Sequence, residues 1–237
     1  MIYNITNVTF GEYGIRNGDM IAMINVLQWL RRKHNNPNIK FYITPEIIIS
    51  DTGYHQKFFD FLCENYDYFS LTPGEYYLPY EHIMLWDFRD NIGDVVQIPN
   101  LQQQQKKLVV FPIFDAQYNT LRNWSPALFM NILEFCCQQY HDHERIVCIK
   151  ELPEDIACPG FTVSTDFISN VTHLMQSDIY VGGDTGMSHL ASALFPGPRE
   201  LVYFYTCRGM IHTLPFYLIQ GKGILNTYSS QYNLDIF

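Results

Sequence analysis

The sequence predicts an α/β protein of two lobes with mostly parallel sheets, the first spanning residues 1–104 and the second 105–237. Three observations carry this. Short runs along the chain are apolar on both parities, the pattern of strands buried on both faces of a sheet. Between them lie stretches with apolar residues at helical spacing, and regular strand–helix alternation calls for a parallel sheet covered by helices. A polar stretch, "PNLQQQQKK" (99–107), reads as a linker, after which the rhythm restarts.

In the first lobe, Met20, Met23, Ile24 and Leu27 recur at helical spacing, and "RRKH" (31–34) closes that helix where cations complement its dipole. "IKFYIT" (39–44) reads as a strand. "YHQKFFDFLCENY" (54–66) reads as a helix with Phe58, Phe59 and Leu62 on one face, and "HIMLWDF" (82–88) as a further strand. The second lobe opens with the strand "LVVFPI" (108–113). A helix follows, with Ser125 as N-cap and Pro126 at its first position. "RIVCI" (145–149) is the next strand. In "DFISNVTHLM" (166–175), Asp166 caps a helix whose stripe is Phe167, Ile168, Val171, Leu174 and Met175. "DIYVGG" (178–183) is a strand, Met187, Leu190, Ala191 and Leu194 mark the helix after it, and "ELVYFY" (200–205) is a strand again.

Composition narrows the function classes. Of the 237 residues, 47% are hydrophobic and 16% charged, enough apolar surface for a core and too little charge for a disordered chain. A net charge of −9 weighs against broad binding to a phosphate backbone, so nucleic acid is not the expected partner. No apolar run reaches the length of a membrane helix, and the N-terminus lacks the pattern of a secretory signal. The six cysteines form neither a disulfide framework nor a C-x-x-C pair, which suits a reducing, cytoplasmic setting. "HDHE" (141–144) holds metal-ligand residue types without supporting spacing and reads as a solvated loop; no metal is expected.

Two Asp-Thr-Gly triplets, at 51–53 and 184–186, raise the possibility of an aspartic protease, whose two carboxylates share a proton in an all-β frame. Both triplets here run into helical patterns, which argues against that frame. A strand ending in "GGDTG" (182–186) and followed by a helix has different chemistry. It points unpaired backbone amides at one spot, and the helix dipole adds positive charge there. Glycines let a diphosphate approach the backbone. Asp184 would repel phosphate, so its part is to accept hydrogen bonds from hydroxyls attached to it, a combination suited to a nucleotide-sugar.

"DFISNVTHLMQSDIYVGGDTGMSHLASAL" (166–194) resembles the signature segment of heptosyltransferase-type glycosyltransferases. Two further segments are similar to that family in the same order. "NGDMIAMINVLQWLRRKHNNPNIKFYIT" (17–44) resembles its opening Gly-Asp helix, and "LVVFPIFDAQYNTLRNWSPALFMNIL" (108–133) its second-lobe strand, phosphate loop and basic-x-Trp helix start. Ile113 and Phe114 stand where the family has small residues, and Arg122 where it usually has lysine. The resemblance implies a GT-B architecture, two Rossmann-like lobes with a cleft between them, here with the first lobe trimmed.

It also implies an inverting, metal-independent transfer of a sugar from a nucleoside-diphosphate donor to a hydroxyl of a glycan or other acceptor. Asp19 would be the general base, although the same residue could simply cap the first helix. Arg122 would hold the diphosphate together with the backbone of Thr185, Gly186 and Met187, and Asp184 would fix the sugar. His189 would bond phosphate or sugar, or pack beneath the loop. Gly18 and Asp51 belong to the acceptor side, Asp51 alternatively capping the helix after it. No cofactor beyond the donor is implied. A nucleotide-sugar-binding module without catalysis is the alternative function.

Overall fold

The structure is a computed structural model that describes residues 1–5, 15–44, 46, 48, 53–77, 97–116, 120–205 and 225–229. The chain divides into two compact units, Met1–Val96 and Gln97–Phe237. It is an α/β protein in which every described strand pair is parallel. Among the described residues no helix is long and apolar enough to cross a membrane.

The first unit alternates strand and helix: β1 (Ile2–Ile5), α1 (Asn17–Lys33), β2 (Lys40–Ile43), α2 (Tyr54–Asn65), β3 (Phe69–Ser70) and β4 (Tyr76–Tyr77). The sheet order is β3-β2-β1-β4. Helix α1 carries more than a stripe. Met20 through Leu27 are all buried, including Asn25, so its middle is enclosed on every side. Its last turn holds Arg31, Arg32 and Lys33 as the sequence predicts, and Arg31 Nε donates to the Ile39 carbonyl at 2.9 Å. Helix α2 buries Phe58, Phe59 and Leu62, as expected from their spacing, but Gly53 occupies its N-cap position. Asp51 lies outside the described residues, as does the expected strand at 82–88.

Strand β1 is hidden in the sequence because Asn4 interrupts its apolar pattern. The tertiary fold uses that residue: buried Asn4 accepts from the Gly74 amide at 2.9 Å and donates back to the Gly74 carbonyl. A side chain on Gly74 would run into the backbone of Ile2, so only glycine permits this close approach.

The second unit contains β5 (Ile98–Pro99), β6 (Lys107–Phe111), α3 (Pro126–Gln139), β7 (Glu144–Cys148), β8 (Thr162–Ser164) and α4 (Phe167–Gln176). After these come β9 (Ile179–Gly182), α5 (Gly186–Ala193), β10 (Leu194–Phe195), β11 (Glu200–Tyr205) and β12 (Leu225–Ser229). Its main sheet runs β12-β11-β9-β6-β7-β8. From the β8 edge, and numbering only these strands, the order is 3-2-1-4-5-6, compatible with a Rossmann-like doubly wound sheet. The winding reverses between β6 and β9.

Helix α3 starts as predicted, with the Ser125 side chain accepting from the Leu128 amide at 3.1 Å and Pro126 in the first turn. Asp166 caps α4 by accepting from the Ser169 amide at 2.8 Å. The expected stripe on α4 needs one correction. Ile168 is 47% exposed, and Asn170 is buried in its place, its amide reaching the Ile149 carbonyl at 3.3 Å. The core on one side of the sheet gathers Val110, Val181, Val202 and Phe204 from the strands and Phe129, Ile132 and Leu133 from α3.

The segment at 99–107 is not a free linker. β5 pairs with β10, Asn100 donates to the carbonyls of Met175 and Pro196, and the Gln105 amide bonds the Gln176 carbonyl. Its polar side chains made it read as loop. Two of them, Asn100 and Gln104, satisfy backbone carbonyls of the second unit.

The loop expected at 141–144 is also corrected. His143 is buried, with Nδ1 at 2.7 Å from Asp142 and Nε2 at 3.1 Å from Asp178. Lys106 pairs with Asp142, and Arg199 Nε donates to Asp178 at 2.7 Å. Beside them the buried Lys107 donates to Gln176 at 2.7 Å and lies 3.5 Å from Glu144. These groups sit where β6, β7 and β9 begin, so they close the amino end of the sheet.

Candidate functional site

At the opposite end, β6 and β9 finish side by side, Phe111 in register with Gly182. In an open parallel α/β sheet, ligands bind outside the carboxyl ends of the strands where the winding reverses. That point is the turn Gly183–Asp184–Thr185 and the start of α5.

Two of the three glycines of the turn are required by packing. A Cβ on Gly183 would come 2.7 Å from Ile113 Cδ1 and 3.2 Å from Trp124 Nε1, and one on Gly182 would strike the Tyr180 hydroxyl. The room beside both residues is therefore filled by the protein itself. Ile113, predicted as a departure from the family's small residues, packs directly on the Gly183 backbone.

Thr185 is the N-cap of α5, and Thr185 and Ser188 form a reciprocal capping box. The Ser188 amide bonds the Thr185 side chain, and the Thr185 amide bonds Ser188 Oγ at 3.3 Å. This consumes two of the donors at the helix start. The amides of Gly186 and Met187, at the first two helical positions, have no intrahelical acceptor.

Arg122 arrives from a single 3-10 turn, Thr120–Arg122, just ahead of α3. Its Nη2 lies 3.0 Å from Asp184 Oδ2. Asp184 is almost enclosed, its side chain 7% exposed, whereas that of Arg122 is 26% exposed. Arg122 Nε is buried without a hydrogen-bond partner, and so is Trp124 Nε1. The Tyr180 hydroxyl is buried close to Thr185 and Ser188 but lacks hydrogen-bond geometry to either, and burial pushes its pKa up.

His189, in the first turn of α5, is buried. Burial, reinforced by the positive charge of Arg122, lowers its pKa from 6.5 to about 4. It is a neutral imidazole near pH 7 and offers a dipole, not a charge.

Arg122, Asp184, Thr185, Gly186, Met187 and His189 thus gather at one end of one sheet. Gly18 and Asp19 lie in the first unit. Asp19 is the third residue of α1 and accepts from the Arg16 amide at 3.0 Å, so Arg16, not Asp19, holds the N-cap position. Burial raises the Asp19 pKa from 3.8 to about 6, against the opposing pull of the Arg16 amide and charge. At neutral pH such a carboxylate is ionised yet basic enough to accept a proton. Beside it, Asn17 Oδ1 is 2.7 Å from His55 Nδ1, which ties the starts of α1 and α2 together. Sequence reasoning missed this pair; its one signal is polar residues at two helix starts that follow consecutive strands.

No group of three or more metal-ligating side chains occurs among the described residues. Comparison with protein-family models, with curated proteins and with solved structures gives no match for this chain.

Proposed function

We propose that the second unit binds a nucleoside-diphosphate sugar and that the protein transfers the sugar to an acceptor hydroxyl. The observation that carries this reading is the turn at the carboxyl ends of β6 and β9. There two helix-start amides without an intrahelical acceptor belong to the same turn as a nearly enclosed carboxylate paired with an arginine. Amides and guanidinium suit phosphate; a carboxylate in the same place suits hydroxyls. In this reading the two units are the Rossmann-like lobes of a GT-B glycosyltransferase, the first trimmed and carrying the acceptor side.

The reaction is a single displacement. The acceptor oxygen attacks the anomeric carbon from the face opposite the diphosphate, and the bond to the leaving oxygen breaks. Arg122 and the amides of Gly186 and Met187 stabilise the negative charge that grows on the nucleoside diphosphate. Asp19 takes the hydroxyl proton, a task that its raised pKa suits. No cofactor other than the donor is called for.

One observation favours a second reading, a binding module without catalysis. Ile113 fills the space beside Gly183, which restricts the approach of a diphosphate from that side. A thermal-shift panel of nucleoside diphosphates and their sugars tests both, because a ligand at one hundred times its Kd adds about 2.7 kcal/mol of stability. No shift with any of them overturns both readings. Given a stabilising donor, Asp19→Ala reduces transfer or donor hydrolysis by about 10²–10⁴-fold and leaves the donor shift unchanged. A donor that shifts the melting point but is never turned over by the unaltered protein supports the binding module.

A further inference from the structure

The pairing of Arg122 with Asp184 has a consequence for what the site accepts. The two residues proposed to hold different parts of a donor hold each other when it is absent, Nη2 to Oδ2 at 3.0 Å. An anion that recruits the guanidinium competes with a carboxylate already in place. It also leaves a nearly enclosed Asp184 beside new negative charge. The repulsion between that carboxylate and the anion is offset when the same ligand also brings hydrogen-bond donors to Asp184.

We propose that Arg122 and Asp184 form an ionic latch that is exchanged, not merely filled. Phosphate takes Arg122, ligand hydroxyls take Asp184, and ligands with only one of the two groups are disfavoured. This rests on the donor-binding reading above and adds a specificity rule to it. The substrate class is a phosphate ester or diphosphate of a polyol, with hydroxyl groups within reach of the first phosphate. Asp184 is the specificity-determining residue, because its negative charge penalises bare phosphate and pyrophosphate.

Three features make the exchange physically reasonable. Arg122 keeps a buried Nε–H without an acceptor even while paired, so its hydrogen-bonding capacity is not exhausted by Asp184. Trp124, 3% exposed, holds a second unpartnered N–H beside Gly183, at the same turn. The amides of Gly186 and Met187, at the start of the helix that follows Asp184, have no intrahelical acceptor and are not used by the latch. All three favour an incoming acceptor, and the Asp184 carboxylate is the group that opposes an anion lacking hydroxyls.

The test uses inorganic pyrophosphate as the probe, titrated by calorimetry into the full chain at fixed ionic strength. Asp184→Asn keeps the shape and removes the charge; Asp184→Ala is measured beside it, and circular dichroism confirms that each variant is folded. Both variants bind pyrophosphate at least about tenfold more tightly than the unaltered chain. Arg122→Gln binds it at least about tenfold more weakly than Asp184→Asn when introduced into that variant. If Arg122→Gln weakens binding but neither Asp184 variant strengthens it, the anion site stands and the latch is wrong. If no substitution alters pyrophosphate binding, the latch and the placement of the donor phosphate at this turn fail together.

Discussion

The second sheet carries charge at both ends, and handles it in opposite ways. At the amino end, Lys106, Asp142, His143, Asp178 and Arg199 form a chain in which each cation meets a carboxylate. Tyr140 donates to Glu200 at 2.6 Å next to it. At the carboxyl end, Arg122 meets Asp184, but Arg122 Nε and Trp124 Nε1 are buried without partners, and two helix-start amides have no intrahelical acceptor. Buried polar groups are ordinarily satisfied, because an unmade hydrogen bond costs about 1–3 kcal/mol. The amino end leaves one such group, Arg145 Nε, beside its matched charges, whereas the carboxyl end gathers its unpartnered donors around a single turn, which is the pattern of a place prepared for something else.

Two buried histidines among the described residues sharpen this contrast. His143 has a carboxylate at each ring nitrogen, whereas His189 sits under α5 beside Arg122 and is kept neutral. The largest expected effect follows from His189. The folded chain binds this proton less readily than the unfolded chain, so the stabilisation from neutral His189 is complete above pH 6.5 and is lost as pH falls towards 4. The loss reaches about 3 kcal/mol at the low end of that window. His189→Gln should flatten this part of the profile, read as the urea midpoint of the second unit between pH 4 and 7. An unchanged slope in that variant would remove His189 from the account. Asp19 acts in the reverse sense. Its raised pKa means that the first unit loses stability as pH rises through about 6, so the two profiles have to be read with unit-specific probes.

Next in size is the amino end. Asp178→Ala leaves His143 and Arg199 without their shared carboxylate and should cost about 2–3 kcal/mol. Donor binding in the thermal-shift panel should stay as it was. A lost ligand response without lost stability would reverse the assignment of the two ends. The smallest effect on stability is expected at the carboxyl end. Arg122→Gln leaves the nearly enclosed Asp184 without its cation but keeps a side-chain amide in place of a partly exposed guanidinium, and should cost about 1–2 kcal/mol. Its main effect should appear in ligand binding. A destabilisation of about 3 kcal/mol or more, outside that range, would make Arg122 a structural residue and break the comparison.

Particular residues mark how far the sequence was legible. Ser125, Asp166 and the basic last turn of α1 were readable because caps and dipoles act within one turn of helix. The strands 107–111, 144–148, 179–182 and 200–205 were readable because burial on both faces leaves a nearly unbroken apolar run, and 40–43, where Phe41 and Ile43 are buried between half-buried neighbours, from its own apolar residues. Strand β1 was not, since Asn4 serves a partner 70 positions away. His143 looked like part of a solvated loop because Asp178, the second of its two carboxylates, lies 35 positions away and outside that loop's own pattern. Ile168 and Asn170 changed places because spacing along a helix does not say where its neighbours stop.

At the candidate site, the turn and its helix are local, and the sequence by itself determined them: glycines after an apolar strand, Thr185 and Ser188 in capping register, and an apolar stripe behind. What the tertiary structure decided is which side chains share that turn. Arg122 reaches Asp184 only because parallel pairing sets β6 beside β9 and carries the 3-10 turn before α3 over the same strand ends. The pairing of a cation and an anion 62 positions apart is a long-range consequence of strand order. It gives the turn a cation and an anion that are already paired with each other.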